Sequence, residues 1–429
     1  MATDLDRPTP VPWHLQLAVY GIGLASTTMY YLALVVVPLW LAIIETSDFL
    51  IGVVISSRFF LPLILSIHGG VLMDRLGGRR VMIFFGIIAV ITPLLFPAMP
   101  WIGAALILQM LLGLADAMGW IGAQTLIGHH MRGSTKFTIR LSFTCRFGPL
   151  FAPIFIGWVW DTYGPNWVHW DVYGPILPFA VISVAGLGML LCAVSLPKNP
   201  SMDQNSKTPM HTQLRVRDLL PRWVDYVAAF RLLFVPAIAL IVMISALSHI
   251  GASTHSGFYV VYLGRTGFSG TEIGILVTVV SVAALFGALS TKWMARIFKP
   301  YWFVMAIVLA GILAIALTPA FGMFWMLAIA AATLGAANGS TQPIIISTVL
   351  RAVDQEDRGK AVGLRSTMNR VASISAPILM GTVSEFAGLE LSFYFVGVLA
   401  IILMGSLVIY VKKSAELTAS NKKYTDNDG

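Results

Sequence analysis

The chain is 429 residues long, with 57% of them hydrophobic and only 11% charged, which excludes a water-soluble fold, where about a quarter of residues carry charge. A formal net charge of +8 suggests a nucleic-acid partner, but the basic residues are confined to one set of loops and follow a membrane topology instead. The two cysteines, Cys145 and Cys192, fall in apolar runs and read as small core residues, not as a disulfide or a metal site.

The chain opens with a polar, proline-rich stretch, Met1 to His14, and no cleavable signal sequence is expected. Apolar runs of ~20 residues then recur, each long enough to cross ~30 Å of hydrocarbon as a helix. Twelve spans are expected at roughly 16–43, 50–72, 80–98, 102–128, 139–160, 173–195, 232–259, 272–294, 301–319, 322–350, 361–386 and 391–411. This predicts an all-α polytopic membrane protein. The polar segment 196–231, with Pro, Ser, Lys and Arg, links a first six-span half (1–195) to a second half with a tail (232–429).

Alternate loops collect the basic residues, among them Arg75, Arg79, Arg80, Arg132, Arg296, Lys299, Arg358 and Lys360. The N-terminus, the linker and the tail lie on the same side. The opposite loops hold Arg265 as their one basic residue, with Glu45, Asp48, Asp161, Asp171, Glu272 and Glu390. That asymmetry puts both termini and the linker in the cytoplasm of a bacterial-type inner membrane. Anionic lipid headgroups are then the passive partner of the basic loops, and no nucleic-acid partner is needed.

The two halves repeat each other. Arg146, Ala152-Pro153, Gly157, Asp161 and Gly164 near the fifth span answer Arg370, Ala376-Pro377, Gly381, Glu385 and Gly388 near the eleventh, all at one constant spacing. Leu112-Gly113-Leu114-Ala115-Asp116 in the fourth span answers Leu334-Gly335-Ala336-Ala337-Asn338 in the tenth. Two homologous halves in one orientation imply a pseudo-two-fold axis along the membrane normal, and a binding cavity where the halves meet.

Between the second and third spans stands Gly70-Val71-Leu72-Met73-Asp74-Arg75-Leu76-Gly77-Gly78-Arg79-Arg80. Its glycines let two helices approach closely. Asp74 is placed to meet a helix N-terminus or an arginine in one arrangement of the halves, so it is either a gate latch or only a fixer of topology and headgroup contacts. This stretch resembles the loop of the major facilitator superfamily written G-x-L-x-D-R-x-G-R-[RK], through Gly70, Leu72, Asp74, Arg75, Gly77, Arg79 and Arg80. Gly78 departs from that pattern. The corresponding loop of the second half, Met294-Ala295-Arg296-Ile297-Phe298-Lys299, keeps basic residues and lacks the acid and the glycines. The resemblance covers nearly the whole chain. It implies two six-helix bundles working by alternating access, usually as a monomer, with Gly70, Asp74, Arg75, Gly77, Arg79, Arg132 and Arg358 as gating residues.

An ionisable group inside a span costs several kcal/mol unless paired, so Arg58, Asp116, Arg146 and Arg370 are the candidate functional residues. Arg146 lies ~9 Å deeper than Arg140 at 1.5 Å per residue. With its repeat mate Arg370 facing it across the cavity, it suits a carboxylate or phosphate, which guanidinium holds in a bidentate fork. The competing reading is that both arginines are satisfied by helix-end carbonyls and acids at the gate. Asp116 either carries a coupling proton or forms a permanent ion pair with Arg58 or Arg146. The position where many relatives carry an arginine, four before Gly113, is Gln109, which weakens any relay borrowed from drug antiporters. Gly148-Pro149-Leu150-Phe151-Ala152-Pro153 only partly resembles the antiporter motif, and its prolines are expected to kink the fifth span.

Asn338, Ser340, Thr341 and Gln342 form a polar cluster in the tenth span that either contacts substrate or packs against a neighbour. His249 and His68 read more readily as packing histidines than as proton carriers, and Tyr20, Tyr30 and Tyr31 line either the cavity or the packed interior. No constellation supports an enzyme, a metal or another cofactor. The expected function is secondary active transport of a small solute. The solute is expected to be an organic anion bound by Arg146, Arg370, Asn338, Gln342 and Arg58, with protons handled by Asp116 in symport or antiport. The rivals are a proton-driven exporter of drugs or amphipathic compounds and a transporter-like scaffold or receptor that does not turn over.

Overall fold

The computed structural model describes residues 11–44, 46–131, 134–163, 175–197, 230–353 and 358–414. Every crossing is helical. In chain order they are α1 (Trp13–Ile43), α2 (Asp48–Ser57 and Phe60–Leu76), α3 (Gly78–Ala98), α4 (Ile102–His130), α5 (Thr135–Cys145 and Phe147–Tyr163) and α6 (Ile176–Ser195). The second six are α7 (Pro236–Ser256 and Phe258–Arg265), α8 (Gly270–Ile297), α9 (Pro300–Ala316), α10 (Phe324–Ala352), α11 (Arg358–Ala387) and α12 (Leu389–Lys413). The expected linker lies, apart from its ends, outside the described residues.

Nine of the described helices are long and apolar enough to cross a membrane, and Tyr301–Ala316 is a shorter apolar one. α10 and α11 run 29 and 30 residues, easily enough for a bilayer. They are more polar because they carry Asn338 to Gln342 and Arg365 to Arg370. The chain is a multi-pass integral membrane protein.

Successive crossings alternate in direction, so the bundle has a terminal end, where α1 starts and α12 finishes, and an opposite end. Within the first half, α6 packs on α1 and α3; within the second, α10 packs on α8 and α9. Near the opposite end of the first half, Trp40 meets Phe96 and Phe179 edge-on at 5.5 and 5.7 Å, while those two rings stack at 5.1 Å. Each such pair contributes about 0.5–1.5 kcal/mol beyond its burial.

The halves meet along two crossings, α5 with α8 and α2 with α11, related by the pseudo-two-fold. Both are close backbone approaches. A Cβ on Gly157 would run into the Gly270 carbonyl, and one on Gly274 into that of Pro153. A Cβ on Gly52 or Gly381 would likewise strike the Pro377 or Asp48 carbonyl. The repeat residues Pro153/Pro377 and Gly157/Gly381 are therefore the contact itself.

Three crossings, α5, α2 and α7, are broken into two helical pieces. α5 is interrupted at Arg146, ahead of its expected proline kinks, because Pro149 has no N–H to give the Cys145 carbonyl. The Thr27 hydroxyl on α1 donates to that carbonyl instead, at 3.4 Å. Pro377 frees the Ser373 carbonyl in the same way, and Ser253 on α7 donates to it at 3.0 Å. α2 breaks at Arg58–Phe59 and α7 at Gly257. The turn from α2 to α3 is a single residue, Gly77, at φ +85°, a conformation that favours glycine.

Candidate functional site

Two neighbouring cavities lie in the middle of the bundle, on the terminal side of the α5–α8 and α2–α11 crossings. The larger, about 650 Å³, is bordered by α5, α7, α8 and α10 and includes Arg146, Ser248, His249, Asn338 and Gln342. The smaller, about 240 Å³, is bordered by α1, α2, α4, α7 and α11 and includes Tyr30, Arg58, Asp116, His249, Asn369 and Arg370. His249 lines both. Arg58, Asp116 and Arg370 therefore border one of these adjoining cavities, and Arg146, Asn338 and Gln342 the other. Arg146 and Arg370 line different, adjoining cavities; they do not face each other across one.

Each polar group is held by its helix. Arg146 sits at the break in α5, exposed to the larger cavity, and its guanidinium has no ion pair or hydrogen bond among the described residues. Arg370 donates to the carbonyl of Pro62 across the α2–α11 contact. Asn338 accepts from the Ser248 hydroxyl at 2.9 Å, and Gln342 accepts from Arg365 at 3.1 Å, so both amides have their oxygens engaged. His249 Nδ1 donates to the Ser245 carbonyl at 2.9 Å, which leaves Nε2 as the ring nitrogen available at the junction.

Arg58 forms an ion pair with Asp116. Both side chains are nearly buried, at 7% and 11% exposure, so the pair is desolvated as well as close. Arg58 also lies 4.7 Å from the centre of the Tyr30 ring, an attractive cation–π contact. Gly113 makes room for this arrangement, since a Cβ there would strike the Arg58 backbone. Gln109 is buried with no partner for its Oε1 among the described residues and shares a void of about 20 Å³ with Arg58 and Tyr30. Among the described residues bordering the two cavities, Asp116 is the one carboxylate.

A second group of acids closes the opposite end. Asp161, at the end of α5, accepts from the backbone N–H groups of Gly270 and Thr271 at 2.5 and 2.8 Å and from the Thr271 hydroxyl at 2.5 Å. It thereby caps the N-terminus of α8 from the other half, where a carboxylate meets orphan donors and the positive end of the helix dipole. Its repeat mate Glu385 does the same for α2, accepting from Phe49 N–H at 3.3 Å. Asp48 accepts from Arg265 at 2.7 Å and from the Ser384 hydroxyl. The charge pattern of the sequence placed Asp161 and Asp48 in the loops and left Glu385 at the end of the eleventh span, and their role as caps between the halves was not read from it. The available signal was that Asp161 and Glu385 occupy equivalent repeat positions.

The expected gate at the terminal end is only partly visible. Gly70, Asp74 and Arg75 lie in α2, but the side chains of the acid and the arginine are outside the described residues. Arg132 lies outside them entirely, as does the side chain of Arg358. Arg79 is half-buried, with its Nε lacking a partner among the described residues. The His68 side chain is likewise outside them. Tyr20 is buried near Arg140, whereas Tyr30 borders the smaller cavity.

The model of the Major Facilitator Superfamily matches residues 19–264 and 241–425 of the chain. No curated protein sequence matches it. Among solved structures it is similar to the nucleoside transporter NupG, with a TM-score of 0.71 at 16% identity, covering 93% of this chain and 100% of that one. It is also similar to a bacterial homologue of the human lysosomal transporter Spinster in an inward-facing, unoccupied conformation, with a TM-score of 0.71 at 16% identity, covering 95% and 98%. The inward-open xylose transporter XylE from E. coli superposes with a TM-score of 0.65 at 15% identity, covering 95% and 98%. At such identities the likeness concerns the fold. The family model spans both halves, and with twelve helices in two related bundles the chain belongs to the Major Facilitator Superfamily.

Proposed function

We propose that the protein is a secondary active transporter that moves a small organic anion by alternating access, coupled to protons. The observation that carries this reading is the charge balance of the two adjoining cavities. Arg146 is open to the larger one, Arg370 borders the smaller one, and the single acid among their described lining residues, Asp116, is already tied to Arg58. A carboxylate or phosphate entering between them meets guanidinium groups and the amides of Asn338 and Gln342. An organic cation meets no uncommitted carboxylate, which disfavours an exporter of cationic drugs.

The basic loops put the terminal end in the cytoplasm of a bacterial-type inner membrane. The end closed by Asp161, Glu385 and the Asp48–Arg265 pair then faces outward, and the cavities lie on the inner side of that seal. This is an inward-facing arrangement, in keeping with the conformation named for the Spinster homologue. Proton loading on Asp116 would release Arg58 to the substrate; proton loss would restore the pair and eject the anion. Asp74, with Arg75, Arg79, Arg132 and Arg358, would form the complementary latch when the cytoplasmic end closes. The two halves divide at the polar linker 196–231, and the protein acts as a monomer.

A thermal-shift screen of the detergent-purified protein against carboxylates, organic phosphates and cationic amphiphiles tests the substrate class. A true ligand at a hundredfold over its Kd stabilises the folded state by about 2.7 kcal/mol. An anion is expected to raise the melting temperature, and Arg146→Ala to remove that shift. Stabilisation by cations alone would overturn the reading.

A further inference from the structure

His249 lines both cavities from α7 and has no part in the proposed transport cycle. Its hydrogen bond fixes which ring nitrogen carries the proton. A carbonyl oxygen only accepts, so Nδ1, 2.9 Å from the Ser245 carbonyl, is the protonated one. A histidine is uncharged above about pH 6.5, and Nε2 then holds a lone pair. No donor among the described residues engages that lone pair.

The donors of the larger cavity are fixed in the same way. Arg365 has only N–H groups to offer, so the Gln342 atom it meets at 3.1 Å is the oxygen, and the Gln342 NH2 is left for the cavity. Asn338 turns its oxygen to the Ser248 hydroxyl and leaves its NH2 likewise. Arg146 adds a guanidinium. The Ser248 and Ser347 hydroxyls spend their protons on Asn338 and on the Ile344 carbonyl, so they add no donor. The cavity thus presents N–H groups from α5 and α10 and a lone pair from α7. A plain carboxylate satisfies only the first. When the cavity closes around it and water leaves, Nε2 stays without a partner, which is costly for a buried acceptor.

We propose that the cargo is a hydroxylated organic anion, with its carboxylate or phosphate on Arg146 and Gln342 and a hydroxyl donating to His249 Nε2. This rests on the anion reading of the site and narrows it. A hydroxyl fits because it donates to Nε2 and can accept from the Asn338 amide, which is tied to the residue beside His249. An ammonium donor does not fit. Arg58, Arg146 and Arg370 border the cavities, and the one carboxylate among their described lining residues is already paired. His249 is then the residue that tells a hydroxylated anion from its deoxy counterpart.

Isothermal titration of the detergent-purified full chain at pH 8 with matched pairs of anions tests this. The pairs are lactate with propionate, gluconate with hexanoate, and glycerol 3-phosphate with propyl phosphate. In the wild type the hydroxylated member of at least one pair is expected to bind about tenfold more tightly than its deoxy counterpart. His249→Phe keeps a ring and removes the lone pair. It should bring that ratio close to one and leave binding of the deoxy member unchanged. His249→Gln, which restores an acceptor, should keep part of the preference. Arg146-dependent binding with no hydroxyl preference, a preference that survives His249→Phe, or one that His249→Gln abolishes overturns the proposal and leaves the anion reading intact. Binding that Arg146→Ala does not weaken, or no binding by any pair, overturns both.

Discussion

The Arg58–Asp116 pair shows how far single residues could be read. A buried ionisable group in a span is visible from sequence because water-loving side chains are rare there. Which partner it takes depends on how α2 and α4 pack, and this is set by Gly113 and the break at Arg58–Phe59. The sequence left Arg58 and Arg146 both open as partners for Asp116, and the fold assigns Arg58. Removing one member of a buried pair leaves an uncompensated charge, at a cost of about 3–5 kcal/mol. Asp116→Asn is therefore expected to lower the melting temperature in detergent markedly. The double variant Arg58→Met/Asp116→Leu, which removes both charges, should recover most of it. If Asp116→Asn melts like the wild type, the pair does not hold α2 to α4. Arg146 differs in kind: it is exposed in a cavity, so Arg146→Ala should leave stability nearly unchanged and act on binding alone.

Among the helices, the repeat was the most informative feature of the sequence, and its physical meaning emerged only in the structure. Pro153, Gly157 and Asp161, with Pro377, Gly381 and Glu385, were legible as matched positions. What they match is a contact: a tight helix crossing ending in a carboxylate that caps the facing helix of the other half. Hydropathy could not show this, because it places a span without saying which face meets which neighbour. The expected kink in α5 was displaced for a related reason. A proline acts on the carbonyl four residues earlier, so Pro149 is felt at Cys145, where Thr27 compensates. Each cap contributes about 1–2 kcal/mol. Asp161→Ala with Glu385→Ala should thus shift the bundle toward opening at that end. Spin labels at Thr46→Cys and Thr266→Cys, in a chain carrying Cys145→Ser and Cys192→Ser, would report it as a new, longer distance. An unchanged distance distribution would mean that the caps do not control the gate.

Across the whole molecule, composition, twelve apolar runs and a two-fold repeat were enough for the fold, since a bilayer admits few architectures and backbone groups must be satisfied within each span. The cavity was legible only as a place between the halves. His249, at the junction of its two parts, looked like a packing residue, because a lone histidine carries no spacing signal. The central claim, an anion carrier built around Arg146 and Arg370, is tested most directly by solute counterflow in proteoliposomes with a labelled panel of carboxylates and organic phosphates. The account predicts exchange of at least one anion, lost in Arg146→Ala and in Arg370→Ala and stimulated by a proton gradient in the wild type. Exchange of a neutral or cationic solute that both variants support at wild-type rates would contradict it.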